Sequence, residues 1–115
     1  MKTALSKDWV RGEFIILNVN SDGFLAAEQT KGYINQNKNL GCRYSRRWRC
    51  WVIIDLPTGR SVCFRKLEYS NCKTPEQAEQ FFVSAYEDKT NKYRETEEYK
   101  EYTKKFKRQK NESKI

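Results

Sequence analysis

Apolar and polar positions alternate with a β period through the first part of the chain and shift to a helical period near its last third. Gly12–Val19 (GEFIILNV) is a short apolar run rich in β-branched residues, which predicts a strand. Asn20-Ser21-Asp22-Gly23 is a turn signal, and Phe24–Gln29 can return as a second strand, although Ala26-Ala27-Glu28-Gln29 would suit a helix equally well. Tyr33-Ile34 adds a short extended piece before the polar Asn35–Asn39 loop. Cys42–Arg46 reads as extended, Trp48–Leu56 (WRCWVIIDL) as a strong strand, Pro57-Thr58-Gly59 as a turn and Ser61–Leu67 (SVCFRKL) as the return strand. Successive side chains on a strand point to opposite faces. Trp48, Cys50, Val52 and Ile54 then form one face with Val62 and Phe64 of the return strand, which leaves Arg49, Trp51 and Arg65 together on the other.

Thr74 begins a helix by the usual rules: an N-cap threonine, Pro75 at the first helical position and Gln77 in the capping-box place. Ala78, Phe81, Phe82 and Ala85 recur at helical spacing, and that stripe is expected to cover the Trp48/Cys50/Val52/Ile54 face. Tyr99, Tyr102 and Phe106 stand at i, i+3 and i+7, so a second amphipathic helix is expected to about Lys107, in a charge-rich tail that otherwise reads as a solvated face.

Composition narrows the function classes. One third of the 115 residues are charged, which leaves material for one domain with a small core. No apolar run approaches the roughly 20 residues of a membrane span, and the N-terminal residues lack a secretory h-region. The expectation is an intracellular protein without a membrane partner, nuclear if eukaryotic and cytoplasmic if bacterial or phage. Cys42, Cys50, Cys63 and Cys72 contain no C-x-x-C pair and there is no histidine, so the common zinc patterns are missing and buried thiols are the simpler reading. Without histidine, a glycine-rich phosphate loop or a nucleophile elbow, the chain reads as non-enzymatic and without a cofactor.

Charge changes the picture most, because it is concentrated. Residues 31–73 hold ten Lys/Arg against two acids, a local excess of +8 that equals the net charge of the whole chain. Arginine predominates and is interleaved with Tyr44, Trp48 and Trp51. A guanidinium offers a planar donor fork that matches phosphate and the guanine edge, and it stacks on flat rings. A basic, aromatic-laced sheet therefore reads as a nucleic-acid-binding surface.

Three strands and one covering helix, carried by Gly41-Cys42-Arg43-Tyr44, Arg47–Ile54, Pro57-Thr58-Gly59-Arg60, Ser61–Lys66 and Ala78-Glu79-Gln80-Phe81, resemble the Apetala-type (ethylene-response-factor) DNA-binding domain and the related arm-binding domains of phage integrases. The resemblance covers about residues 40–89. It implies an α+β fold, a three-stranded antiparallel sheet covered by one helix, with residues 1–39 as an N-terminal hairpin extension and residues 90–115 as a charged helical or disordered tail. It also implies that the free sheet face lies in the major groove of double-stranded DNA. Arg43 and Arg46 of the first strand, Arg49 and Trp51 of the second and Arg65 of the third would then read or grip the duplex, with Arg60 and Lys66 as flanking phosphate contacts. Single-stranded nucleic acid could use the same surface, with Trp51 and Tyr44 as stacking platforms. The competing class is a small interaction protein, for instance a phage-encoded inhibitor, that engages an acidic or nucleic-acid-binding partner protein, since tryptophan and arginine also dominate interface hot spots. Arg94 and Arg108, spaced along the tail, are expected to contribute much less to duplex binding than the hairpin arginines.

Overall fold

A computed structural model of the chain describes residues 7–19, 25–47, 49–62 and 72–112. Five strands run in chain order across one antiparallel sheet: β1 (Trp9–Val19), β2 (Leu25–Asn35), β3 (Leu40–Ser45), β4 (Cys50–Asp55) and β5 (Arg60–Ser61). Among the described residues three helices follow: α1 (Pro75–Ala85), α2 (Glu87–Tyr93) and α3 (Glu97–Glu112). This corrects the expected three-stranded sheet with a single cover. The first hairpin is no extension, because β2 pairs with β3 as well as with β1 and so belongs to the same sheet. The α+β class itself stands. Trp48, Cys63, Phe64, Arg65 and Lys66 lie outside the described residues.

β1 and β2 pair along their full length, from Trp9 opposite Asn35 to Val19 opposite Leu25. That ladder settles the ambiguity at Ala26–Gln29, since eleven paired positions against a β-branched partner outweigh the helical preference of two alanines. β2 then meets β3 at only three positions, Tyr33–Asn35 against Leu40–Cys42. At this pivot the backbones are so close that a β-carbon on Gly32 would collide with the Cys42 carbonyl oxygen.

Directly opposed residues share a sheet face. The register therefore places Trp9, Tyr33, Asn35, Leu40, Cys42, Tyr44, Trp51 and Ile53 on one face, and Phe14, Ile16, Ile34, Arg43, Cys50, Val52 and Ile54 on the other. α1 lies on the Cys42/Ile53 face: the Trp9 indole Nε1 donates to Glu79 Oε2 at 2.5 Å, and Ala78 and Phe82 join Cys42 and Ile53 in the buried core. The helix starts as its sequence dictates, with Thr74 Oγ1 accepting from the Gln77 amide at 3.2 Å and the Gln77 side chain returning to the Thr74 amide. Burial pushes the Cys42 thiol pKa well above the ordinary range, helped by Glu79 and Glu76, so this sulfur stays protonated and unreactive.

The second face is covered by the sheet itself. The Leu17 amide donates to the Gly59 carbonyl at 2.8 Å, which brings β1 round to the turn before β5 and curls the sheet. The Phe14 ring packs where a side chain on Gly41 would otherwise stand. β4 is consequently buried on both sides, with Val52, Ile53 and Ile54 each no more than 3% exposed. Here the expected assignment of faces fails. α1 covers the opposite face from the Cys50/Val52/Ile54 set, and the Val62 amide donates to the Ile53 carbonyl, so Val62 stands beside Ile53 rather than with that set. A strand buried on both faces carries no outward side for alternation to reveal.

The tail is also more than a solvated face. Tyr99 and Phe106 of α3 are buried, and Phe106 sits over Gly59, whose φ of +68° turns the chain where a β-carbon would strike the ring. Among the described residues no helix is long and apolar enough to cross a membrane.

Candidate nucleic-acid interface

Beyond the three-residue pivot, β2 and β3 part company. No ladder joins Glu28–Lys31 to Arg43–Ser45, and the gap opens into a cleft of about 1040 Å³. Glu28, Thr30 and Lys31 line one side and Arg43, Arg46 and Arg47 the other, with Trp51, Val52 and Ile16 also among the lining. Four cations and two carboxylates, Glu13 and Glu28, thus surround the opening. Both carboxylates already accept a side-chain amide: Gln29 Nε2 reaches Glu13 at 2.7 Å, and Asn18 Nδ2 reaches Glu28 at 2.8 Å.

The turn between β3 and β4 brings further charge. Arg46, Arg47 and Arg49 are exposed, and Arg49 has φ +55°, the left-handed geometry a tight reversal requires. Lys73 Nζ donates to the Arg49 carbonyl at 3.3 Å, which adds a fourth cation to the turn. Next to it stands an aromatic group. Tyr44 and Trp51 are cross-strand partners with ring centroids 5.9 Å apart, and Tyr33 lies 6.1 Å from Trp51 on its other side. Tyr44 is 43% exposed, so its ring is open to a ligand.

Arg43 differs from its neighbours. It is half-buried opposite Val52, and its buried Nε has no hydrogen-bond partner. Desolvation lowers its pKa while the Glu28 charge across the gap raises it. The guanidinium remains charged, as arginine does in proteins.

The residues expected to bind are therefore only partly brought together. Arg43, Arg46 and Trp51 line the cleft, and Arg49 lies on the adjoining turn. They form a rim and not a flat reading surface, because α1 occupies the face on which Arg49 and Trp51 were expected to lie free. Arg60 lies apart, next to Asp55 at the far end of β4, with its guanidinium 3.9 Å from the centroid of the Tyr102 ring. Arg65 and Lys66 lie outside the described residues. Arg47, Lys31 and Lys73 were missed by sequence reasoning. Arg47 was visible as the neighbour of Arg46, but the parting of β2 from β3 that recruits Lys31 has no local signature.

Arg94 is a structural residue rather than a spectator in the tail. Its Nε and Nη2 donate to Asp55 Oδ1 at 2.9 and 2.5 Å, and Nη1 and Nη2 donate to the carbonyls of Lys38 and Asn39 at 2.8 and 3.0 Å. Thr58 Oγ1 and Tyr99 Oη donate to the other carboxylate oxygen at 2.7 and 2.9 Å. This network fastens the α2–α3 junction to the ends of β3 and β4 and leaves the cleft open.

No family model, curated protein or solved structure matches the chain.

Proposed function

We propose that the protein is a non-enzymatic nucleic-acid-binding protein whose contact surface is the β3–β4 arginine turn together with the adjoining cleft. One observation carries this reading: Lys31, Arg43, Arg46 and Arg47 line the same opening as Tyr44 and Trp51, with Arg49 and Lys73 next to it. Cations at this density attract a polyanion from a distance and hold phosphates on contact. Rings beside them offer base-stacking surfaces, which an acidic protein partner would not need. The proposed site of action is inside the cell, where buried thiols such as Cys42 persist.

Fluorescence anisotropy with labelled oligonucleotides tests the reading. Arg46→Ala/Arg47→Ala should weaken binding by about 1–3 kcal/mol in total, whereas Arg60→Ala and Arg108→Ala should change it by less than about 0.5 kcal/mol. A loss from an Arg60→Ala/Arg108→Ala double variant equal to that from Arg46→Ala/Arg47→Ala would show attraction by net charge alone. That result would remove the turn as the site.

A further inference from the structure

We propose that the cleft between β2 and β3 receives a single-stranded nucleic acid, with a base stacked on the Tyr44–Trp51 pair and the phosphates held by Arg46, Arg47 and Lys31. This rests on the nucleic-acid reading above and specifies the class of strand.

Three features of the site select a single strand. First, a duplex is read by an element laid into a groove, and this sheet has no free flat face to lay there: α1 covers one side and the curled β1 the other. Second, the opening lies where two neighbouring strands of one sheet part after three paired positions, an entry bounded by strand edges and not an element that could be laid into a groove. Third, Tyr44 presents an exposed ring backed by Trp51, and only an unpaired base can offer its π-face to such a ring.

The distribution of charge also orients the strand. Arg46 and Arg47 are exposed at the rim beside β3 and Lys31 faces them from β2 on the Tyr44/Trp51 side of the sheet, whereas Glu28 belongs to the other face, so phosphates belong among these three cations. The Glu28 carboxylate repels phosphate from its own side.

The test compares the full chain and its Tyr44→Ala variant for binding to a labelled single-stranded oligonucleotide and to the duplex of the same length, with 5-bromouracil cross-linking and peptide mapping alongside. Tyr44 is exposed, and a matched thermal melt confirms that the variant is folded. The proposal expects the single strand to bind at least about tenfold more tightly than the duplex. Tyr44→Ala should weaken single-strand binding by about five- to a hundredfold, as for one lost base stack, and change duplex binding less than about twofold. Cross-links should map to Tyr44 or Trp51. Equal binding of both forms, unaffected by Tyr44→Ala but weakened by Arg46→Ala/Arg47→Ala, overturns the cleft and leaves the basic turn as a binding site. If neither nucleic acid binds while an acidic peptide occupies the cleft, both claims are overturned.

Discussion

Arg94→Ala is the substitution whose cost the structure specifies most fully. Asp55 is 6% exposed, and Arg94 is the sole cation bridged to it among the described residues. Truncation leaves the carboxylate in a poorly solvated site with, among the described residues, the hydroxyls of Thr58 and Tyr99, and it also removes a donor from the carbonyls of Lys38 and Asn39. Removing one partner of a buried pair costs about 3–5 kcal/mol, a large share of the roughly 5–15 kcal/mol that stabilises a typical domain. Urea unfolding followed by tryptophan fluorescence measures this, with the slope expected to stay near its wild-type value. Arg94→Lys keeps the charge but cannot bridge the carboxylate and two carbonyls with one planar fork, so an intermediate loss is expected. Adding Asp55→Asn to Arg94→Ala should recover part of the loss, with a coupling of about 2 kcal/mol. A midpoint for Arg94→Ala within about 0.5 kcal/mol of wild type would refute the reasoning, because the carboxylate would then be solvated or held by other groups.

Phe82→Ala should cost about 3–5 kcal/mol in the same assay, since Phe82 is 3% exposed in the core under α1; an unchanged melt would mean that α1 does not pack there. Tyr99 supplies a pH test. Desolvation first, then the charge and hydrogen bond of Asp55, push its hydroxyl up to about 12, against about 10 for a free tyrosine. The unfolded chain therefore loses this proton first, so the stabilisation is complete below about pH 10 and declines between about pH 10 and 12, by at most about 2 kcal/mol. Tyr99→Phe should flatten that alkaline decline relative to wild type. An identical decline in both proteins would rule out Tyr99 as its source.

Local signals were the legible ones. The helix start at Thr74-Pro75-Glu76-Gln77, the turn at Pro57-Thr58-Gly59, and the Tyr99/Tyr102/Phe106 stripe all appear where the sequence places them, because each depends on chemistry within a few residues. The faces of β4 were not legible, since a strand buried on both sides has no amphipathic pattern to read. Nor was the five-stranded extent of the sheet, because Ala26–Gln29 is ambiguous alone and becomes a strand through long-range pairing with β1. Arg94 and Asp55, 39 positions apart, are brought together by the packing of α2 and α3 across the sheet, and no spacing rule marks such a pair. Within the site, the arginine cluster was visible in composition, whereas the cleft depends on β2 leaving β3 after three pairs.

The most direct test of the central claim is the salt dependence of affinity for a single-stranded oligonucleotide, measured on wild type and on Arg46→Ala/Arg47→Ala. Three to five phosphate contacts at the rim give a slope of log K against log[salt] of roughly −2 to −3.5, and loss of two arginines should reduce its magnitude by about 1.4. A wild-type slope near zero, or the same slope in the variant, would contradict the assignment of the arginine turn as the phosphate-binding surface.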